Sequence, residues 1–151
     1  MLEIGPGIGI HAIPVASSLA PDGTLDVFDV QHAMLDDVMA RARAQGVTNI
    51  RAKQGDTQEL PYRDGTFDGA YLVGVLGEIP DEHTALRELR RVLKPNGRLV
   101  IGEVFFDPDF VRFSSLKARV QQPPSRSSGG LAELFRTWRD SGPTSSKRWS
   151  E

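Results

Sequence analysis

The first ten residues read MLEIGPGIGI, a short apolar run carrying Glu3 and then three alternate glycines, Gly5, Gly7 and Gly9, ahead of an Ala-containing helical stretch. Glycines at this spacing let the backbone turn sharply and come close to a bound molecule. The helix behind them offers unpaired N–H groups and a positive dipole end. The loop therefore predicts a ligand with a negative end. The dinucleotide fingerprint would place its third glycine at the next allowed position, which is Ile10 here, so a dinucleotide is the less natural occupant. Glu3 adds a carboxylate that a pyrophosphate would not tolerate. A ligand end bearing both an ammonium and a carboxylate suits the loop better.

Further along, Leu25–Asp29 is a second strand-like run that ends in an acid, placed to accept hydrogen bonds from two ribose hydroxyls. Ile50–Gln54 leads into Gly55, Asp56 and Thr57, which puts another acid after a third strand, in reach of an adenine amino group. Four segments, in order, are residues 2–16 (LEIGPGIGIHAIPVA), 25–35 (LDVFDVQHAML), 55–80 (GDTQELPYRDGTFDGAYLVGVLGEIP) and 86–103 (LRELRRVLKPNGRLVIGE). Together they resemble the class I S-adenosylmethionine-dependent methyltransferases, in the small-molecule branch that includes the ubiquinone and menaquinone enzymes. The resemblance implies S-adenosyl-L-methionine as cofactor and a small-molecule methyl acceptor of quinone, lipid or natural-product type. It also implies roles for residues: Gly5, Gly7 and Gly9 along the methionine moiety, Glu3 toward its ammonium, Asp29 on the ribose, Val30 against the adenine face, and Asp56 with Thr57 at the adenine edge. The family's usual Gly-Gly after Lys-Pro is Asn96-Gly97 here, a pair that still makes a turn.

Strand and helix patterns alternate, as in a parallel sheet covered on both faces. Helices are expected over residues 10–19, with Pro14 tolerable near the first turn, over 33–45 with Gly46 as its stop, and over 81–93 capped by Asp81. The middle helix is expected to bury Met34, Val38, Met39 and Ala42, and the last one Leu86, Leu89, Val92 and Leu93. Phe67–Val73 and residues 98–104 complete five strands. Right-handed crossovers then give a Rossmann-like doubly wound sheet of order 3-2-1-4-5, without the family's final antiparallel strands, and a ligand at the switch point between strands 1 and 4.

The 151 residues suit one domain. Residues 1–111 hold 10 Lys/Arg against 17 Asp/Glu, and residues 112–151 hold 8 against 3. An acidic core argues against nucleic acid, as does the absence of an Asn-Pro-Pro-Tyr-type motif or a Pro-Cys nucleophile after the fourth strand. With no cysteine there is no disulfide or zinc–thiolate site, and no histidine has a partner at metal spacing, so no metal is expected. No apolar run approaches the ~20 residues of a membrane span, and a cytoplasmic protein is expected. The cofactor-binding core is expected over residues 1–122. Residues 123–151 contain 7 Ser, 3 Gly and 3 Pro and are expected to form a flexible tail with one short helix around Leu131, Leu134, Phe135 and Trp138. Family members carry helices before the first strand and strands after the fifth. These ends lead to the expectation of a truncated or frame-altered product with an exposed sheet edge, marginal stability, self-association and little methyl transfer. The alternatives are an inactive cofactor-binding remnant and a nicotinamide-dependent oxidoreductase with a variant loop. His11, Tyr71 and Glu78 are candidate general bases, each more plainly read as cleft lining or packing.

Overall fold

The computed structural model describes residues 1–102. Five parallel strands, β1 (Leu2–Ile4), β2 (Leu25–Asp29), β3 (Ile50–Gln54), β4 (Phe67–Val73) and β5 (Leu93–Gly102), form one sheet of order β3-β2-β1-β4-β5. This is the expected doubly wound topology. Central β1 is buried at all three residues, with Glu3 in register with Val27 of β2 and Tyr71 of β4. Side chains alternate across a strand, so Glu3, Val27 and Tyr71 share one face, and Leu2, Ile4, Phe28 and Leu72 share the other.

The first face is covered by α1 (Ala12–Leu19) and α2 (His32–Ala44), whose Ala12, Ile13, Ala16, Leu35, Val38 and Ala42 form one buried cluster with Leu25, Val27, Ile50 and Tyr71. Pro14 falls in the first turn of α1, where its missing N–H would have no helical partner anyway. In α2 the deepest residues are Leu35, Val38 and Ala42, and Met34 is only half-buried. The expected stripe is thus rotated by one residue at its start, because α2 leans its i, i+3, i+7 edge on the sheet. Gly46, at φ +69°, ends α2: Val47 N donates to Ala42 O (2.9 Å) and Gly46 N to Arg43 O (3.2 Å), closing a Schellman turn.

α3 (Glu82–Val92) follows β4, and the right-handed crossover to β5 carries it to the opposite face from α1 and α2. Asp81 caps it, accepting from Thr84 N at 3.0 Å, and Ala85, Leu86, Leu89 and Val92 are buried. β5 differs from expectation. It begins at Leu93, which pairs with Phe67, and the next pairing is Arg98 with Gly69. Residues 94–97 are therefore looped out of register, at Pro95, which has no N–H for a ladder. The end expected at residue 104, the 122/123 boundary and the tail helix lie outside the described residues.

The segment between β3 and β4 is fastened to α3 chiefly through Arg91 and Glu88. Arg91 donates to Glu88 (2.8 and 2.6 Å), to Asp64 Oδ1 (2.9 Å) and to the carbonyls of Leu60 (2.8 Å) and Tyr62 (2.7 Å), while Glu88 Oε2 accepts from Leu60 N at 2.8 Å. Tyr62 then packs between Phe28 (centroids 6.1 Å) and Phe67 (4.8 Å, edge-on). Arg91→Ala is expected to cost ~1–3 kcal/mol, since it strips two carbonyls and two carboxylates of their donor together. Urea unfolding of the two proteins measures it, and an unchanged midpoint would refute the fastening.

Candidate cofactor site

The carboxyl ends of β1, β2, β3 and β4 bring their connecting loops together at one edge of the sheet. The turn after β1 uses positive φ at Gly5 (+62°), Gly7 (+51°) and Gly9 (+84°). Gly5 N donates to Phe28 O (2.9 Å), tying this turn to β2. A Cβ on Gly5 would lie 2.4 Å from Val75 Cγ2 in the loop after β4, so these two loops touch where a side chain would otherwise stand. Gly7 is different: a Cβ there would meet nothing within 4 Å. Its surface is open, which is the condition for a ligand to reach backbone.

Asp29 ends β2 and is 9% exposed. Its Oδ1 accepts from Gln31 N (2.8 Å), a two-residue side-chain turn, and α2 itself starts without a side-chain cap. Its backbone carbonyl accepts from Gly55 N at 3.0 Å, which places the start of the β3 loop beside it. Val30, the next residue, is 66% exposed, an apolar side chain facing outward at the edge of the site. After β3, Thr57 is buried and Asp56 exposed. Asp56 Oδ1 accepts from the backbone N (2.8 Å) and Nε2 (3.0 Å) of Gln58, and Oδ2 accepts from Nε2 at 2.9 Å. These bonds, the backbone one first, hold its carboxyl below the ordinary range.

All eight residues singled out from the sequence therefore stand on or directly behind this edge. The general-base candidates separate. His11 and Glu78 are exposed, while Tyr71 is 8% exposed and belongs to the core cluster under α1 and α2. His32 pairs with Asp36 on α2 at 2.9 Å, and His83 is an exposed residue of α3. Gln58, which shapes Asp56, escaped the sequence reading because a glutamine two residues after an acid has no distinctive signature. A depression of about 430 Å³ lined by Asp68, Lys94, Pro95, Asn96 and Gly97 lies at the opposite end of β4 and β5. There Lys94 and Asp68 already neutralise each other at 2.5 Å, and its glycine, Gly97, is not among those with positive φ.

Glu3 is the unusual group. It is 3% exposed, and both its Oε2 and the Tyr71 hydroxyl are buried with no hydrogen-bond partner among the described residues. The two sit in register on adjacent strands and interact electrostatically without hydrogen-bonding geometry. Burial pushes the Glu3 carboxyl from 4.5 up to about 7, with the Tyr71 hydroxyl opposing this to a smaller degree. Because the folded value lies above the unfolded one, the stability linked to Glu3 is complete below pH 4.5. It is lost as pH rises through about 7. Glu3→Gln should therefore be more stable than the parent by ~1–3 kcal/mol at pH 8 and equal to it near pH 4, since each tenfold change in proton affinity is worth ~1.4 kcal/mol. Urea titrations at the two pH values check this, and a constant difference would contradict it.

Residues 2–101 match the family described as a methyltransferase domain. A demethylmenaquinone methyltransferase of Lactobacillus johnsonii is 36% identical over 103 residues, which cover 68% of this chain and 42% of that protein. An O-methyltransferase of Aspergillus nomiae is 32% identical over 146 residues, 89% of this chain and 61% of that protein. The chain spans about 33% to 61% of the length of such curated relatives. Among solved structures, a SAM-dependent methyltransferase from Aquifex aeolicus has a TM-score of 0.66 at 22% identity, covering 93% of this chain and 70% of that one, a likeness of fold. The trans-methyltransferase CalH, in complex with S-adenosylhomocysteine (SAH), has a TM-score of 0.56 at 25% identity over 66% of this chain and 30% of that one. With the sheet order, the glycine turn and a family match over most of the described residues, the chain belongs to the S-adenosylmethionine-dependent methyltransferase family.

Proposed function

We propose that this chain binds S-adenosyl-L-methionine along the carboxyl edge of its sheet and serves methyl transfer to a small-molecule acceptor in the cytoplasm. The observation that carries the reading is the open surface at Gly7 in a positive-φ turn directly after the strand that buries Glu3. The backbone there can approach a zwitterionic methionine end closely, and the buried Glu3 carboxyl, whose Oε2 has no hydrogen-bond partner among the described residues, supplies the complement to an ammonium through the turn. Gly5, Gly7 and Gly9 line that end of the ligand. The hydrogen-bonding capacities of Asp29 and Asp56 then divide the nucleoside. An ionised carboxylate offers about four acceptor positions. Asp29 uses one on Gln31 N, which leaves enough for a pair of ribose hydroxyls. Asp56 has three contacts with Gln58 already, which leaves room for one donor, as an adenine amino group presents. Val30 gives the adenine an apolar face, and Thr57 stands behind its edge.

The bound cofactor supplies a methyl group on a sulfonium, which an acceptor oxygen, nitrogen or carbon displaces in line without an enzyme nucleophile. The protein's share is alignment, worth up to ~7–11 kcal/mol, and exclusion of water. The names of the relatives support acceptors of the quinone or natural-product class. Among the described residues no helix is long and apolar enough to cross a membrane. Binding of labelled S-adenosylmethionine with turnover of a quinol supports the enzyme. Binding without turnover of any acceptor supports a cofactor-binding remnant, and displacement by NAD would overturn the site.

Two substitutions test the assignments. Asp29→Ala should weaken SAH binding ten- to hundredfold, the ~1.5–3 kcal/mol of hydrogen bonds to a charged group. Unchanged affinity in a calorimetric titration would leave Asp29 a turn residue. Gly7→Val should abolish binding while the fold survives, because its side chain would enter open space rather than protein and costs only the ~1–2 kcal/mol of a left-handed backbone. Native circular dichroism with normal affinity would show that the ligand does not pass over Gly7.

A further inference from the structure

The Gln58 side chain joins two elements that the sequence separates by more than twenty residues. Its Nε2 donates to both oxygens of Asp56 (3.0 and 2.9 Å), and its Oε1 accepts from Asp81 N at 3.1 Å, at the residue that caps α3. An exposed aspartate at a loop tip would ordinarily sample several rotamers. Here the amide grips both oxygens from one side, and the amide itself is anchored by a backbone N–H on the other element.

We propose that Gln58 is a positioning residue for nucleobase selection: it fixes Asp56 so that one acceptor position on Oδ2 is presented outward, which selects a purine carrying an exocyclic amino group over its oxo counterpart. The inference rests on the cofactor reading above and deepens it. Oδ1 is occupied twice by Gln58, through backbone N and Nε2, and Oδ2 once. The remaining acceptor meets an N–H donor favourably. Facing a 6-oxo group it opposes oxygen to oxygen, so discrimination depends on the carboxylate being unable to turn away. Selectivity of this kind comes from a repulsive contact held in place as much as from the attractive one.

The two halves of the Gln58 side chain separate experimentally. Gln58→Glu keeps an oxygen for Asp81 N, beside the start of α3 where negative charge is tolerated, and replaces the donor to Asp56 by a like charge. SAH and its inosine analogue, in which the 6-amino group is replaced by oxygen, are titrated calorimetrically into parent and variant, alongside thermal melts. The expected result is about a tenfold loss of SAH affinity in the variant, the worth of one hydrogen bond to a charged group, with weak analogue affinity unchanged or improved and the melt unaltered. Equal loss for both ligands, or no loss for either, would overturn the proposal and leave Gln58 a tether between loops. Gln58→Asn, too short to span both partners, is read in the same way should the first variant unfold. A parent chain that binds neither ligand would overturn the cofactor reading itself, a result distinct from a parent that binds SAH and a variant that binds it equally well.

Discussion

The turn at Gly5 is the constraint through which the rest of the carboxyl edge is built. Its N–H donates to Phe28 O at 2.9 Å, its missing Cβ is the space that Val75 fills, and its φ of +62° is one that few residues other than glycine adopt. The contact continues sideways: the ring of Phe28 lies where a side chain on Gly55 would be, 2.6 Å from a Cβ placed there. Val75, Gly5, Phe28 and Gly55 thus join the ends of β4, β1, β2 and β3 in sheet order. Asp29 and Asp56 occupy their positions because the residues before them are locked in that row. A change at Gly5 would be felt at all four strand ends, whereas a side chain at Gly7 would meet no neighbour and carry only the strain of its positive φ.

Much of this edge was legible in the sequence because its cues are local. Alternate glycines, an acid closing an apolar run and Gly-Asp-Thr after a third run each encode backbone geometry within a few residues, and the parallel order followed from alternating strand and helix patterns with right-handed crossovers. Misreadings arose where the deciding contact is distant. Leu35, not Met34, became the buried start of α2: Leu35, Val38 and Ala42 stand at i, i+3 and i+7, as regular a helical stripe as the one expected, and packing on the sheet chooses between the two. Leu93 was expected to end α3 and instead starts β5, because pairing with Phe67 outweighed one more helical residue. The Arg91 and Gln58 links were invisible for the same reason, each joining residues more than twenty positions apart.

The three carboxyls of the edge differ in their surroundings. Asp56 is exposed and held ionised by donors, at little cost to the fold. Asp29 is nearly buried and accepts one backbone N–H, from Gln31. Glu3 is fully enclosed without one at Oε2, and its carboxyl resists ionisation until about pH 7. A buried acid of this sort weakens the folded chain and would be replaced at no loss if packing were its whole purpose.

Its position makes that cost intelligible. Glu3 lies buried in the central strand, two residues before the turn at Gly5 that leads to the open surface at Gly7. A cation arriving there would favour the ionised form and lower the carboxyl's affinity for its proton, so the energy withheld from folding is recovered on binding. The same linkage would make the enclosed acid selective by charge, since a ligand with no positive group at that end does not favour its ionised form. On the proposed reading, the glycines would admit a ligand's backbone-facing end, and the acid beneath them would favour a positive charge on it.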